Sequence, residues 1–176
     1  MQALKETKLR VAGFIEESIV DGPGLRFVLF LQGCRFQCPG CQNPQTWDFE
    51  GGTLVASDEV LDRICLDPLV HGVTFSGGEP FEQAQALVPL AAELKRRGYH
   101  LMAYTGYTLE NLLCKPECRA FLELLDLLVD GPFIEAEKSL ELRFRGSRNQ
   151  RILNVPACRE DGWRPVLDVL NEAADR

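Results

Sequence analysis

Three cysteines, Cys34, Cys38 and Cys41, fall within the stretch Gly33-Cys-Arg-Phe-Gln-Cys-Pro-Gly-Cys-Gln-Asn-Pro44, and no fourth partner follows close by. Thiolates on a loop that also carries Pro39 and Gly40 can turn inward together, because glycine adopts backbone conformations closed to other residues. Structural zinc is closed by four ligands, usually two separated pairs, and the second pair here would have to be Cys114 and Cys118. An iron-sulfur cubane held by three thiolates instead leaves one iron without a protein ligand. That open position is able to bind a small chelating molecule, as catalytic metal sites keep a place for substrate. Simple packing of the three thiols in a core is the weakest reading, since the intervening Arg35, Gln37, Pro39 and Gly40 make no apolar face.

A second chemical loop is Ser76-Gly77-Gly78-Glu79-Pro80. Two glycines after a strand allow the main chain to approach a ligand closely, and Glu79 offers an acceptor for an ammonium group. The plainer reading is a strand-to-helix turn with Glu79 in the first helical turn. Thr105-Gly106-Tyr107 and Asp130-Gly131-Pro132 sit at comparable places, where Asp130 serves equally well as a turn or helix cap. Arg143, Arg145, Arg148 and Arg151 form the one concentrated basic stretch, either a solvated loop or a contact for a carboxylate.

The elements that must position these loops alternate. Leu25–Leu31 reads as a buried strand entered through Asp21-Gly22-Pro23-Gly24, and Ser57 as the N-cap of a helix with Val60, Leu61 and Ile64 inward. Gly72–Phe75 is the next strand. Glu82–Arg97 is the next helix, with Pro89 expected to kink it or shift its start. His100–Tyr104 is a strand, Thr108–Leu113 and Arg119–Leu125 are helical, and Asp126–Asp130 is a strand. Trp163–Arg176 reads as an appended amphipathic helix. Alternation of this kind implies crossovers, a mostly parallel α/β sheet and a site at the carboxyl ends of its strands, where all four loops converge.

The chain of 176 residues carries a net charge of -7, which argues against broad nucleic-acid contact. Its apolar runs are too short for a membrane span, its first residues do not form a secretory signal, and seven cysteines in such a chain point to metal or redox chemistry in the cytoplasm. Length suits one domain, residues 1–176, with a core at about 11–154 and a helical tail at about 155–176. His71, His100, Cys65 and Cys158 are read as structural, as are Cys114 and Cys118.

The pattern Cys34-x-x-x-Cys38-x-x-Cys41 resembles the signature of the radical S-adenosylmethionine enzymes, and Ser76–Pro80 is similar to their second motif. Asp21-Gly22-Pro23-Gly24-x-Arg26 resembles the activases of glycyl radical enzymes. Cys38-Pro39-Gly40-Cys41, Thr46-Trp47, Tyr104–Tyr107, Leu128–Phe133 and Arg145–Gln150 are similar to the activases of anaerobic ribonucleotide reductases. The aromatic residue common before the third cysteine is here Gly40, which leaves the adenine contact unassigned.

The resemblance implies a partial (β/α)6 barrel and a [4Fe-4S] cluster on Cys34, Cys38 and Cys41. S-adenosylmethionine would be held by Gly40, Cys41, Gln42, Gly77, Gly78, Glu79, Thr105 and Asp130, the last through a monovalent cation. It implies reductive cleavage of S-adenosylmethionine and hydrogen abstraction from a glycine of the reductase large subunit, with no side chain as catalyst. Flavodoxin or ferredoxin would donate the electron, and Asp21 and Arg26 would hold the partner loop. Activation of pyruvate formate-lyase is the alternative, and a zinc interaction module the remote one.

Overall fold

The computed structural model describes residues 2–174. In chain order the elements are α1 (Gln2–Glu6), β1 (Lys8–Ser18), β2 (Arg26–Leu31), β3 (Thr53–Ala56), α2 (Ser57–Ile64), β4 (Gly72–Gly77), α3 (Ala84–Arg96), β5 (His100–Tyr104), α4 (Leu109–Leu113), α5 (Pro116–Leu122), β6 (Leu127–Asp130), β7 (Arg151–Asn154) and α6 (Val155–Glu160). The strands form one sheet in the order β3-β1-β2-β4-β5-β6-β7. β2, β4, β5 and β6 pair in parallel. β1 runs antiparallel to both β2 and β3, and β7 antiparallel to β6.

The α/β class therefore holds, while the mostly parallel sheet is corrected to one that is parallel only at its centre. The cause lies in the connections. β1 reaches β2, and β6 reaches β7, through irregular loops, and antiparallel neighbours need no helical crossover. Only β2→β4, β4→β5 and β5→β6 carry helices between parallel strands. Four strands of the sheet, β2, β4, β5 and β6, are parallel, and β3 and β7 form its edges.

Alternate residues serve opposite faces of the sheet, as the two-residue period of a strand requires. Phe27, Leu29 and Leu31 of β2, Val73 and Phe75 of β4, Leu101 and Ala103 of β5 and Leu128 of β6 join the main core under the helices. There Phe75 and Phe81 both meet Phe121, each at 5.2 Å between ring centroids. Each such side chain, fully buried, contributes about 1.5–3 kcal/mol. Met102, Leu127, Val129 and Ile152 form a smaller cluster with Tyr104, Phe144 and Leu170. Two separate apolar clusters thus flank the sheet.

Local deviations have physical causes. Ser57 is the first residue of α2 and Ala56 the cap position: β3 runs directly into the helix, and the buried Ser57 Oγ makes no capping hydrogen bond. α3 starts later than expected, since Pro80–Gln83 forms a 3-10 turn whose Phe81 N–H is accepted by the Glu79 side chain, and Pro89 lies inside the helix. The expected tail helix is interrupted. Gly162 and Trp163 both adopt left-handed backbone (φ 67° and 66°), Pro165 follows, and Leu167 bridges to Leu153 before a 3-10 turn at Val169–Ala174. The last two positions of that expected helix, 175 and 176, lie outside the described residues. No helix among the described residues is long and apolar enough to cross a membrane.

Candidate cofactor site

Beyond β2 the chain enters the cysteine loop, which its own main chain holds in shape. Gly33 N–H donates to Thr46 O (2.8 Å), Cys34 N–H to Trp47 O (3.1 Å) and Cys41 N–H to Cys38 O (3.1 Å), and Asn43 N–H donates to Cys41 Sγ (3.4 Å). Gln37 (φ 47°) and Gly40 (φ 72°) take the left-handed conformations that turn the loop back between its cysteines. Cys34, Cys38 and Cys41 all line one cavity of about 560 Å³ and are partly exposed to it. That volume falls within the range of about 300–1,000 Å³ common to small-molecule sites. The three thiols line the same cavity, and among the described residues no group of three or more His, Cys, Asp or Glu is gathered for a single ion. Three separate thiolates on one cavity suit a cubane, in which each binds a different iron. Burial pushes the Cys34 thiol above its ordinary pKa in the absence of a metal charge.

The Gly-Gly-Glu-Pro loop is interlocked with the cysteine loop. Gly78 N–H donates to Leu31 O (2.7 Å) and Glu79 N–H to Gly33 O (2.8 Å). A Cβ on Gly78 would stand 2.5 Å from Gly33 O, and one on Gly77 (φ 94°) 2.6 Å from Leu31 N and O. Both glycines are thus required by close main-chain packing, whatever they offer a ligand. Their neighbour Glu79 is 1% exposed. Its Oε1 accepts from Phe81 N–H (3.0 Å) and Thr105 Oγ1–H (2.9 Å), and its Oε2 from Gly106 N–H (2.8 Å). Burial nevertheless pushes its carboxyl up to about 7, against the pull of those three donors. One lone-pair position on Oε2 has no such donor, and Glu79 lines the cavity.

A clip that the sequence did not disclose joins the residues between Cys34 and Cys38 to the same loop. Arg35 pairs with Glu82, Tyr107 Oη–H donates to Glu82 Oε1 at 2.8 Å, and the Phe36 ring meets Tyr107 edge-on at 4.7 Å. Phe36 also occupies the space beside Gly106, where a Cβ would lie 2.6 Å from the ring. Burial and the Glu82 bond push the Tyr107 hydroxyl well above the usual phenol range. The sequence signal was the mixture of charge and aromatic ring inside the cysteine spacing, which an isolated motif gives no partner.

Of the remaining candidates, Thr105 and Gln42 line the cavity with the cysteines, Gly77, Gly78 and Glu79, whereas Gly40 and Asp130 do not. The buried Asp130 side chain caps α4 through Leu109 N–H (2.7 Å) and pairs with Arg151, which also binds Glu110. The cap reading of Asp130 matches this placement, and Arg151 of the basic stretch is held by the same carboxylates. Arg145 lines the cavity and donates to Gln150 O and Asn171 O. Arg26 is corrected: it is 1% exposed and donates to Thr74 Oγ1, Pro23 O, Val73 O and His100 O, so it cannot reach a partner. Burial pulls its guanidinium down to about 10. Asp21 does line the cavity, its carboxylate taken by Ser18 Oγ–H at 2.6 Å. Cys118 is buried beside Phe81 O, Cys158 accepts from Val166 N–H, and Cys114 is exposed; none lines the cavity.

A family model described as a 4Fe-4S single cluster domain matches residues 20–153. The anaerobic ribonucleoside-triphosphate reductase-activating protein of Haemophilus influenzae is 34% identical over 144 residues, covering 76% of this chain and 90% of that protein. A pyruvate formate-lyase-activating enzyme of Staphylococcus aureus is 39% identical over 157 residues, covering 84% of this chain but 61% of the enzyme. Among solved structures, QueE from Escherichia coli superposes with a TM-score of 0.47 and 19% identity, over 61% of this chain and 56% of that one.

Proposed function

Because this chain belongs to the glycyl radical enzyme activases of the radical S-adenosylmethionine superfamily, we propose that its own target is an anaerobic ribonucleotide reductase. What supports the choice is the set of motifs similar to those of the activases of anaerobic ribonucleotide reductases, Cys38-Pro39-Gly40-Cys41 and Arg145–Gln150 among them, together with the reductase-activating relative 34% identical over 76% of this chain; the chain spans 61% of the pyruvate formate-lyase-activating relative. The higher identity to the latter, 39% against 34%, favours pyruvate formate-lyase as the second reading.

A [4Fe-4S] cluster with S-adenosylmethionine would supply the one-electron cleavage and the hydrogen-atom acceptor. Cys34, Cys38 and Cys41 would hold the cluster and leave one iron for the amino and carboxylate groups of S-adenosylmethionine. Glu79 would take the ammonium end, since a cation beside a buried carboxyl restores the ionised form that burial disfavours. Thr105 and Gly106 N–H hold that carboxylate in place. Preorganisation of this kind turns an encounter into a held geometry. A flavodoxin or ferredoxin in the cytoplasm is the electron source proposed with it.

Incubation of the anaerobically reconstituted, reduced protein with each candidate enzyme tests the assignment. The expected result is a glycyl radical EPR signal on the reductase that depends on S-adenosylmethionine; a signal on pyruvate formate-lyase alone would transfer the assignment to the second reading.

Glu79 also gives a pH prediction for the apoprotein. Its folded pKa, about 7, lies above the ordinary carboxylate value, so the folded state prefers the proton. The associated stability is present below about pH 4.3, falls as pH rises, and is gone above pH 7, a change of roughly 3 kcal/mol. Denaturant melts of the metal-free protein should therefore lose less stability between pH 5 and 8 in Glu79→Gln than in the unsubstituted chain. Parallel pH curves for the two would refute the ascription.

A further inference from the structure

Asp130 ends β6, and the alternation of a strand decides which way its side chain goes. Leu128, two residues earlier, joins the core under the helices, whereas Val129 joins the cluster on the other face. Tyr104 and Phe144, which pack on that second cluster, line the cavity. Asp130 therefore faces the helix layer, away from the cavity. Arg151 opens β7 as the antiparallel register partner of Asp130, so the two side chains stand together on that face. Its guanidinium donates through Nε to Asp130 Oδ1 (2.9 Å) and through Nη2 to Asp130 Oδ2. Through Nη1 and Nη2 it also donates to the two carboxylate oxygens of Glu110, at 3.1 and 2.9 Å. Leu109 N–H takes a further place on Asp130 Oδ2 at 2.7 Å. The Asp130 side chain is fully buried, and none of Asp130, Arg151 and Glu110 lines the cavity.

The monovalent cation that the family resemblance implied beside Asp130 does not fit this arrangement. The carboxylate is turned from the cavity, and the place of its counter-ion is filled by a guanidinium, which stays charged at every working pH. Two-point pairing of this kind is the strong form of a carboxylate contact, and a free ion would have to displace a cation tethered to the chain. We propose that Arg151 replaces the metal cation at the end of β6, so that this chain binds S-adenosylmethionine independently of sodium and potassium. The proposal rests on the cofactor reading above. Arg151 acts as a positioning residue: it ties β7 and α4 to the end of β6, beside Gly131 and Gln150, which line the cavity and are joined by Gln150 Nε2–H to Gly131 O (3.1 Å).

The test compares chlorides of sodium, potassium and N-methylglucamine at equal ionic strength. S-adenosylmethionine is titrated into the anaerobically reconstituted, oxidised protein, so that no cleavage occurs. The expected result is one dissociation constant in all three salts, to within about threefold, and a larger tightening in sodium or potassium overturns the inference. A second arm needs no cofactor. Loss of the guanidinium in Arg151→Gln leaves Asp130 and the partly exposed Glu110 with no cation between them. Denaturant midpoints of the iron-free variant should therefore rise in sodium or potassium over N-methylglucamine, while those of the iron-free unsubstituted chain stay level. Equal responses of the two chains overturn the assignment to Arg151, and the salt series on the unsubstituted protein decides if the variant does not fold. Failure of the unsubstituted protein to take up iron and sulfide would instead sink the cofactor reading, with the iron-free comparison still judging Arg151.

Discussion

Alanine in place of Cys34, Cys38 or Cys41 is expected to abolish S-adenosylmethionine cleavage, each as completely as the triple replacement. The three thiols line the same cavity and lie on a loop closed by Gly33–Thr46 and Cys34–Trp47 main-chain bonds, so no other cysteine can move in to substitute. Cys118 and Cys158 are buried elsewhere, and Cys114 is exposed outside the cavity. In the proposed cluster each thiolate would carry its own iron, so loss of one would remove a corner rather than weaken a shared bond. The effect should exceed the 10–100-fold loss, roughly, that follows removal of an outer partner of a metal ligand. Iron and sulfide analysis beside methionine release measures it. Cys114→Ala and Cys118→Ala should keep both; iron loss in either would show that they belong to the metal site after all.

The second large effect is structural and should appear without any cofactor. Gly78→Ala sets a methyl group against the Gly33 carbonyl at 2.5 Å and the Thr46 carbonyl at 3.0 Å, both main-chain atoms that cannot swing aside. Overpacking of this kind costs about 1–3 kcal/mol. Gly77→Ala adds left-handed strain of about 1–3 kcal/mol to contacts of 2.6 Å with Leu31. Gly98→Ala carries the left-handed strain alone, since nothing lies within 4 Å of its Cβ position. Chemical denaturation of the apoproteins should rank Gly77→Ala as the most damaging and Gly98→Ala below it. Against a total of about 5–15 kcal/mol, the first variant approaches loss of the fold. Equal stability of Gly77→Ala and Gly98→Ala would show that the two loops do not pack as described.

The strands that matter for the site were legible because they are short apolar runs followed at once by glycine or by a turn: Arg26–Leu31, Gly72–Gly77, His100–Tyr104 and Leu127–Asp130 all stand close to where the pattern puts them. β1, β3 and β7 were not, since Lys8–Ser18 mixes charged and apolar residues with Gly13, and edge pairing depends on partners that a local pattern does not contain. The cysteines and the Gly-Gly-Glu-Pro loop announce themselves by spacing. The roles of their neighbours do not: the sequence places Glu82 only at the start of a helix, with no sign of Arg35 and Tyr107 on it, and assigns Arg26 to a partner loop, with no sign of the Thr74 hydroxyl and three carbonyls that enclose it. Tertiary hydrogen bonds between residues more than forty positions apart, such as Arg26 with Thr74, leave no periodic trace.

The cysteine loop and the Gly-Gly-Glu-Pro loop are laced together by peptide groups, Gly78 to Leu31 and Glu79 to Gly33. Those bonds should hold the shape of the socket when it is emptied. Stripping its iron with a chelator should leave a folded vessel that can be refilled, in contrast to zinc fingers, which collapse when their ion is withdrawn.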